Sequence, residues 1–196
     1  ADWNAAYGPK NEAYLNNKNR MSEKEIIQWK YQRYVKDYLR TVKSVDDGIG
    51  EVLDYLDASG LAENTIVIYS SDQGWYLGEH GWFDKRWMYE ESLMMPFIVK
   101  WPGKVNRGTV SDEFASQVDL AATFAKIIGY PLKKEEAIDS HNLLPVLKGM
   151  NYKRPFREAS VHNTSPNKFA LRQGDWVLID ASTGSAKRET STYLEY

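Results

Sequence analysis

The sequence predicts an α/β fold, in which part of a mainly parallel sheet is flanked by helices and followed by a small antiparallel C-terminal unit. Two short apolar runs, at residues 65–70 and 96–101, stand between segments with helical spacing. Continuous apolar runs are typical of strands buried on both faces of a parallel sheet, and strands alternating with helices form layered α/β sheets. Short alternating segments around a glycine turn follow later in the chain. We therefore predict an α/β domain over residues 1–150 and an antiparallel subdomain over residues 151–196.

The N-terminal third of the chain is dominated by one long predicted helix. Residues 1–20 show no apolar period, which predicts an irregular segment. The helix begins after Ser22, because Glu25 stands at the spacing of a capping box. Apolar side chains then recur at gaps of mostly three and four, which indicates a core-facing stripe. Gly48 and Gly50 favour a kink or a split in its middle, and Gly60 is a typical helix stop.

The remaining elements are predicted from local apolar patterns and from the polar, Gly and Pro residues at their ends. The strand at 65–70 ends at the polar segment 71–74, and the strand at 96–101 ends at Pro102 and Gly103. A helix over 118–128 is predicted by its apolar spacing and by Gly129 and Pro131 after it. Three short segments with a Gly turn predict the antiparallel strands, at 157–162, 169–172 and 176–179.

Composition limits the classes of function. The chain has 196 residues, with 25 Lys and Arg against 27 Asp and Glu, for a formal charge of −2. It offers no basic field for nucleic acid or anionic membrane. No apolar run has the length of a membrane span, and the first ten residues do not resemble a signal peptide. The absence of cysteine excludes disulfides, thiolate metal sites and a cysteine nucleophile within these residues.

The first candidate site lies directly after the first predicted strand. In open α/β sheets, ligands bind outside the carboxyl ends of the strands. Asp72 and Gln73 stand at such an end and offer hard oxygen donors, the ligands that calcium and magnesium prefer. The alternative is that Asp72 only caps a turn.

Aromatic and basic residues crowd the segment after this site. Six aromatic residues fall between Trp75 and Tyr89. Such rings can wall a pocket or stack on sugars, and they also fill cores. His80 can act as an acid, a base or a ligand, or it can be structural. Lys85 can supply a fixed positive charge to an oxyanion, or it can be a solvated surface residue.

At this point the order and spacing of several motifs resemble the C-terminal half of the sulfatase family. The resemblance covers roughly residues 35–180 and is specific to the branch that acts on sulfated carbohydrates. The motifs that carry it are Val45-Asp46-Asp47-Gly48-Ile49-Gly50, Gly60-Leu61-Ala62-Glu63-Asn64-Thr65, Ser71-Asp72-Gln73-Gly74, Leu77-Gly78-Glu79-His80-Gly81, Lys85, Tyr89-Glu90-Glu91-Ser92, Pro96 to Gly103, Gln117-Val118-Asp119-Leu120-Ala121 and Leu143-Leu144-Pro145-Val146-Leu147.

The resemblance implies a fold and a set of roles. Sulfatases are calcium-dependent hydrolases of the alkaline-phosphatase superfamily, with a mixed α/β domain and a smaller antiparallel C-terminal one. By resemblance, Asp72 and Gln73 are metal ligands and Lys85 binds the sulfate group. His80 and Trp82 are expected to line the sugar pocket, since they stand between these residues in the sequence. The expected substrate is a sulfated sugar of a glycosaminoglycan-like polysaccharide.

The resemblance also shows what these residues lack. Family members use a formylglycine nucleophile, made within a Cys/Ser-x-Pro-x-Arg motif, and the sequence contains no such motif. We therefore expect a C-terminal portion of a sulfatase, with an incomplete C-terminal subdomain, that is inactive by itself. Export to a periplasm, a lysosome or the cell exterior is expected from the family alone, and the oligomeric state is not predicted.

Two other functions stay open. The same metal and Lys85 could serve a phosphoester or phosphonate hydrolase of the same superfamily. The chain could also bind a sulfated sugar or a partner protein without catalysis.

Overall fold

A computed structural model describes residues 3–150, 155–165 and 168–180, with the side chains of residues 3–7 and 165 left out of the description. The chain divides into two compact units, Ala1–Ala62 and Glu63–Tyr196. The α/β class is confirmed by this mixture of helices and strands. The domain boundary near residue 150 stays a prediction, and residues 151–154, 166–167 and 181–196 of the predicted subdomain lie outside the described residues.

The first unit contains two helices, α1 (Trp3–Asn17) and α2 (Glu23–Ala58). The expectation of an irregular segment over residues 1–20 was therefore wrong. Helix α1 has no apolar stripe that a sequence pattern could reveal, and contacts with α2 support it instead. Tyr14 stacks on Trp29 at 4.3 Å between ring centroids, and Arg33 donates a hydrogen bond to Asn11.

Both ends of α2 confirm the predicted signals. The Ser22 hydroxyl accepts a bond from the Glu25 amide, and the Glu25 carboxylate accepts one from the Ser22 amide, which completes the capping box. At the C-terminus, Gly60 has φ 71°, and the amides of Gly60 and Leu61 donate to the carbonyls of Asp57 and Leu56. These two bonds form a Schellman motif.

Helix α2 runs unbroken through its two internal glycines, so the predicted split is absent. A glycine in a helix interior costs about 1 kcal/mol relative to alanine. A helix of 36 residues retains enough hydrogen bonds on both sides to absorb two such positions.

The second unit is built from short elements. In chain order they are β1 (Val67–Ser70), β2 (Tyr76–Leu77), β3 (Phe83–Asp84), α3 (Glu90–Leu93), β4 (Phe97–Lys100), α4 (Asp119–Ile128), α5 (Leu144–Leu147), β5 (Ser160–Ser165), β6 (Lys168–Gln173) and β7 (Trp176–Ile179). Single turns of 3₁₀ helix lie at Lys18–Arg20, Ala62–Asn64 and Glu79–Gly81.

The strand pairing differs from the predicted parallel arrangement. Strands β1 and β4 pair with each other antiparallel, with Val67 opposite Lys100 and Ser70 opposite Phe97. Every strand pair among the described residues is antiparallel. A parallel partner needs a crossover connection, usually a helix, whereas the chain between β1 and β4 returns through a hairpin and one helical turn. An apolar run alone does not distinguish these two arrangements.

The C-terminal strands form the predicted antiparallel unit, in the order β5-β6-β7. Val161, Leu171 and Leu178 lie opposite one another in a cross-strand row, and all three are exposed. His162 is opposite Ala170, which is buried. The pairing of β5 with β6 shifts register between Asn163 and Ser165.

The buried apolar residues of the second unit come from strands β2 and β6, from helix α4 and from two loops. Tyr76, Met88 and Leu143 are almost completely buried, together with Ala122, Ala125 and Ala170. Tyr76 and Met88 flank the turn that carries Lys85, so the core holds this turn in place. None of the helices in the described part of the chain has the length and apolarity to cross a bilayer.

Candidate functional site

The second unit contains a cleft of about 850 Å³ that brings together three of the predicted site residues. Asp72 and Gln73 line it from the loop after β1, and Lys85 lines it from the segment between β3 and α3. The loop before α4 contributes Gln117, and strand β5 supplies another wall. The metal-binding pair and the sulfate-binding lysine proposed from the sequence therefore share one cavity.

The Asp72 loop is fixed mainly through its backbone. The Ser71 hydroxyl donates to the Gln73 carbonyl at 2.9 Å, and the Gln117 side-chain amide donates to the Ser71 carbonyl. Asp72 itself is exposed, and its Oδ1 lies 3.4 Å from the Ser71 hydroxyl. The loop is thus held while the Asp72 carboxylate remains accessible to a ligand.

Gly74 packs so closely against helix α3 that a residue with a Cβ atom would not fit at this position. Its amide donates to the Ser92 carbonyl at 2.8 Å. A Cβ atom at position 74 would fall 2.0 Å from the carbonyl oxygen of Glu91. Glycine is therefore required here by space rather than by φ, and it allows the Asp72 loop to pack directly on α3.

Lys85 is exposed, and its backbone is anchored. Its Nζ lies 5.4 Å from the centre of the Trp75 ring, a cation–π arrangement. Its carbonyl accepts a hydrogen bond of 2.7 Å from the hydroxyl of Ser92. Arg86, the next residue, also lines the cleft, and its Nε lies 3.0 Å from Asp84 Oδ2.

His80 and Trp82 are not among the residues that line this cleft. His80 has the left-handed backbone conformation φ 56° and stacks on Tyr89 at 4.6 Å. Its Nε2 lies 3.2 Å from Glu91 Oε1, and Trp82 stacks on Trp87 at 6.1 Å. In these positions the two side chains stabilise the turn before Lys85, and their assignment to the sugar pocket stays a prediction.

The side chain of Tyr76 links strand β2, before the Lys85 turn, to the backbone that follows this turn. Its hydroxyl donates to the Trp87 carbonyl at 2.8 Å and accepts from the Tyr89 amide at 3.1 Å. Burial of the ring raises the pKa of Tyr76 to about 12, because the phenolate would be desolvated. The side chain therefore remains a neutral donor across the physiological range.

Sequence reasoning missed a buried ion pair, one partner of which, Arg157, lines the cleft. The Asp119 carboxylate is fully buried and pairs with Arg157, which also donates to the Asp139 carbonyl at 2.8 Å. The amides of Ser116 and His141 donate to the same carboxylate at 2.8 Å and 2.7 Å. The one signal for Asp119 in the sequence was its place in a segment that carries the family resemblance.

The contribution of the predicted strand β5 to the cleft is the second feature that sequence reasoning missed. His162 lines the cleft, and its Nε2 is buried with no hydrogen-bond partner among the described residues. Desolvation lowers the pKa of His162, so its ring is biased toward the neutral form. Thr164 lies two residues further, and its hydroxyl donates to the Arg86 carbonyl. Nothing in the local sequence of β5 distinguishes these residues from an ordinary strand.

The donors at the cleft fit part of a calcium site. Calcium takes six to eight oxygen ligands at about 2.3–2.6 Å, and carboxylate and amide oxygens are suitable. Asp72 and Gln73 supply two such side chains at one wall of the cleft. No group of three or more His, Cys, Asp or Glu side chains able to hold a metal occurs within the described ranges. A complete site would need further oxygen donors.

Comparison with known proteins points to one family. Residues 78–179 match the family described as N-sulphoglucosamine sulphohydrolase, C-terminal. An N-acetylglucosamine-6-O-sulfatase of Bacteroides thetaiotaomicron is 44% identical over 146 residues, which are 74% of this chain and 25% of that protein. The chain thus spans about a quarter of the length of this relative.

Solved structures also match this chain. A structure in complex with its substrate, D-glucosamine-2-N,6-O-disulfate, matches with a TM-score of 0.78 and 38% identity, and covers 90% of this chain and 37% of its own. A phosphonate monoester hydrolase from Silicibacter pomeroyi matches with a TM-score of 0.59 and 24% identity, over 69% of this chain and 31% of its own. At that identity the second likeness concerns the fold alone.

Proposed function

Because the chain belongs to the sulfatase family, as its C-terminal portion, we propose that the protein carrying it hydrolyses sulfate esters of amino sugars. The single observation that supports this activity best is the common cleft of Asp72, Gln73 and Lys85. It combines hard oxygen donors with an ammonium group, which suits an anionic ester. The relative named an N-acetylglucosamine-6-O-sulfatase makes the 6-sulfate of that sugar the first substrate to test.

Each residue of the cleft has a proposed role in this reaction. Hydrolysis breaks the ester and leaves a sugar hydroxyl and a sulfate ion. Lys85 binds a sulfate oxygen and opposes the negative charge that builds up in the transition state. Asp72 and Gln73 hold calcium, which when bound supplies positive charge to the same group. His80 and Trp82 are proposed to contact the sugar when the longer protein completes the pocket.

The nucleophile is proposed to be a formylglycine provided by sequence beyond these residues. The 196 residues contain no Cys/Ser-x-Pro-x-Arg motif. We therefore expect them to be inactive by themselves, and sulfate release by the isolated chain would contradict this. Export from the cytoplasm is part of the same proposal, and its support is the family membership.

The test is sulfate release by the complete protein from N-acetylglucosamine 6-sulfate. Lys85→Ala and Asp72→Ala should each lower kcat/KM by about a hundredfold or more, as expected for the loss of a group that stabilises transition-state charge. Lys104→Ala and Asp112→Ala are the matched controls, because both residues are exposed and lie outside the cleft. Removal of calcium by a chelator should abolish activity, and added calcium should restore it.

The same assay separates the alternatives. A phosphonate or phosphate monoester cleaved faster than the sulfate ester would favour the phosphoesterase. If the purified complete protein binds the sulfated sugar and releases no sulfate, the non-catalytic binding protein is favoured. Full activity of Asp72→Ala would exclude the metal assignment and leave the family membership intact.

A further inference from the structure

Ser92 connects the two parts of the cleft that carry the proposed chemistry. This residue of α3 is 5% exposed. Its hydroxyl donates to the Lys85 carbonyl at 2.7 Å, and its own carbonyl accepts from the Gly74 amide at 2.8 Å. One buried residue therefore contacts both the backbone of Lys85 and the loop that follows Asp72 and Gln73.

The neighbouring contacts make this connection rigid. Gly74 lies against the Glu91 carbonyl, where even a methyl group would not fit. The Tyr76 hydroxyl holds the backbone at Trp87 and Tyr89, on the other side of the Lys85 segment. The Lys85 side chain is exposed, so its position depends on how firmly its backbone is held.

We propose that Ser92 is a positioning residue that fixes Lys85 relative to the Asp72–Gln73 loop. The inference rests on the proposed function, since it assigns Lys85 to the sulfate group. Ser92 lines the cleft, and it donates its hydroxyl proton to the Lys85 carbonyl, so its role here is to hold that backbone. A displacement of about 1 Å at a catalytic group can cost about a hundredfold in rate, so the orientation of this segment matters for catalysis.

The test is a double-mutant cycle in the complete protein with Ser92→Ala and Lys85→Ala. Ser92→Ala should lower kcat/KM by about ten- to a hundredfold in the wild-type background and by less than about twofold in the Lys85→Ala background. If Ser92 only supported folding, the two losses would multiply. Ser140→Ala is the control, because it removes a hydroxyl that accepts from the Ala122 amide at 2.8 Å, away from Lys85, and its activity should be unchanged.

A second readout distinguishes displacement of Lys85 from loss of folded enzyme. The inhibition constant of inorganic sulfate should rise about as much as kcat/KM falls, since a smaller amount of folded enzyme leaves this constant unchanged. An unchanged constant in Ser92→Ala would overturn the proposal.

A third measurement separates this inference from the proposed function. Hydrogen exchange of the backbone over residues 83–89 should become faster in Ser92→Ala and not in Ser140→Ala. If the wild-type protein releases no sulfate, the proposed function fails, while the exchange result still supports or overturns the anchoring of Lys85 by Ser92.

Discussion

Asp119 and Arg157 form an ion pair in which the carboxylate is fully buried and the guanidinium nearly so. The same carboxylate accepts the amides of Ser116 and His141, so one side chain joins α4 to two loops and to the start of the C-terminal strands. A buried charge that loses its partner is costly, whereas an exposed pair contributes little.

Arg157→Ala should therefore lower the free energy of unfolding by about 3–5 kcal/mol, measured by urea denaturation of the complete protein. The matched control is Arg86→Ala, since Arg86 pairs with Asp84 at 3.0 Å and its side chain is 71% exposed. The control should change stability by about 1 kcal/mol or less. Equal effects of the two variants would show that the buried pair is not a structural anchor.

Gly74→Ala should displace the Asp72 loop, because the new methyl group would meet the Glu91 carbonyl at 2.0 Å. We expect activity on the sulfate ester and thermal stability to fall together, with altered positions of Asp72 and Gln73 in a crystal structure. Gly50→Ala in α2 is the control, since a Cβ there meets nothing within 4 Å. That control should be neutral or slightly stabilising, by up to about 1 kcal/mol. A Gly74→Ala protein with wild-type activity would contradict the close packing.

Tyr76→Phe should destabilise the protein by about 1–3 kcal/mol, because it leaves the half-buried Trp87 carbonyl and Tyr89 amide without this hydroxyl. The raised pKa of Tyr76 also gives a pH dependence. The folded state binds its proton more tightly than the unfolded state, so this contribution is complete below pH 10 and is lost as the pH rises toward about 12.

Ultraviolet titration can measure this effect. Tyr76 should ionise late or only with unfolding, and the part of the late phase that belongs to it should be missing in Tyr76→Phe. Ionisation of all tyrosines near pH 10 in the folded wild type would be inconsistent with the buried hydroxyl.

Ser22→Ala should weaken the start of α2 by about 1 kcal/mol, as is usual for the loss of an N-cap. The hydrogen bonds from the side chain and the backbone of Ser22 lower the pKa of Glu25 from its ordinary value. A lowered carboxyl pKa stabilises the folded state above the unfolded value, and the contribution disappears as the pH falls through the folded value. The difference between wild type and variant should therefore decrease below about pH 4. Circular dichroism during thermal unfolding at several pH values measures it, and a difference independent of pH would argue against the capping box.

The local elements were predictable where the sequence carries its own start and stop signals. Ser22, Glu25 and Gly60 defined the long helix, and Gly129 ended α4 as expected, with φ 74°. Helix α1 was not predicted, since the stacking of Tyr14 on Trp29 is a tertiary contact without a local signature. The antiparallel pairing of β1 with β4 was likewise not predictable, because an apolar run specifies neither the neighbouring strand nor its direction.

The cleft was predictable in its residue types and only partly in its geometry. Asp72, Gln73 and Lys85 were indicated by their chemistry and by the family resemblance, and the fold places them at one cavity. Ser92 and Gln117 stand in segments that carry the family resemblance, but their side chains are ordinary polar ones, and the hydrogen bonds that they make to the backbone are visible only in the structure. Contacts of this kind depend on the final conformation of distant loops.

The pairing of β5 with β6 makes β5 sensitive to insertions and deletions, because it fixes which side chains stand at each place of the strand. Successive side chains of a strand point to opposite faces, so a one-residue slip would exchange the two faces. Val161, 66% exposed, would then take the half-buried place of His162, and the Thr164 hydroxyl would lose the Arg86 carbonyl. A single inserted or deleted residue before Asn163 would therefore remove the imidazole from its place in the cleft wall, although no residue type of the cleft would have changed.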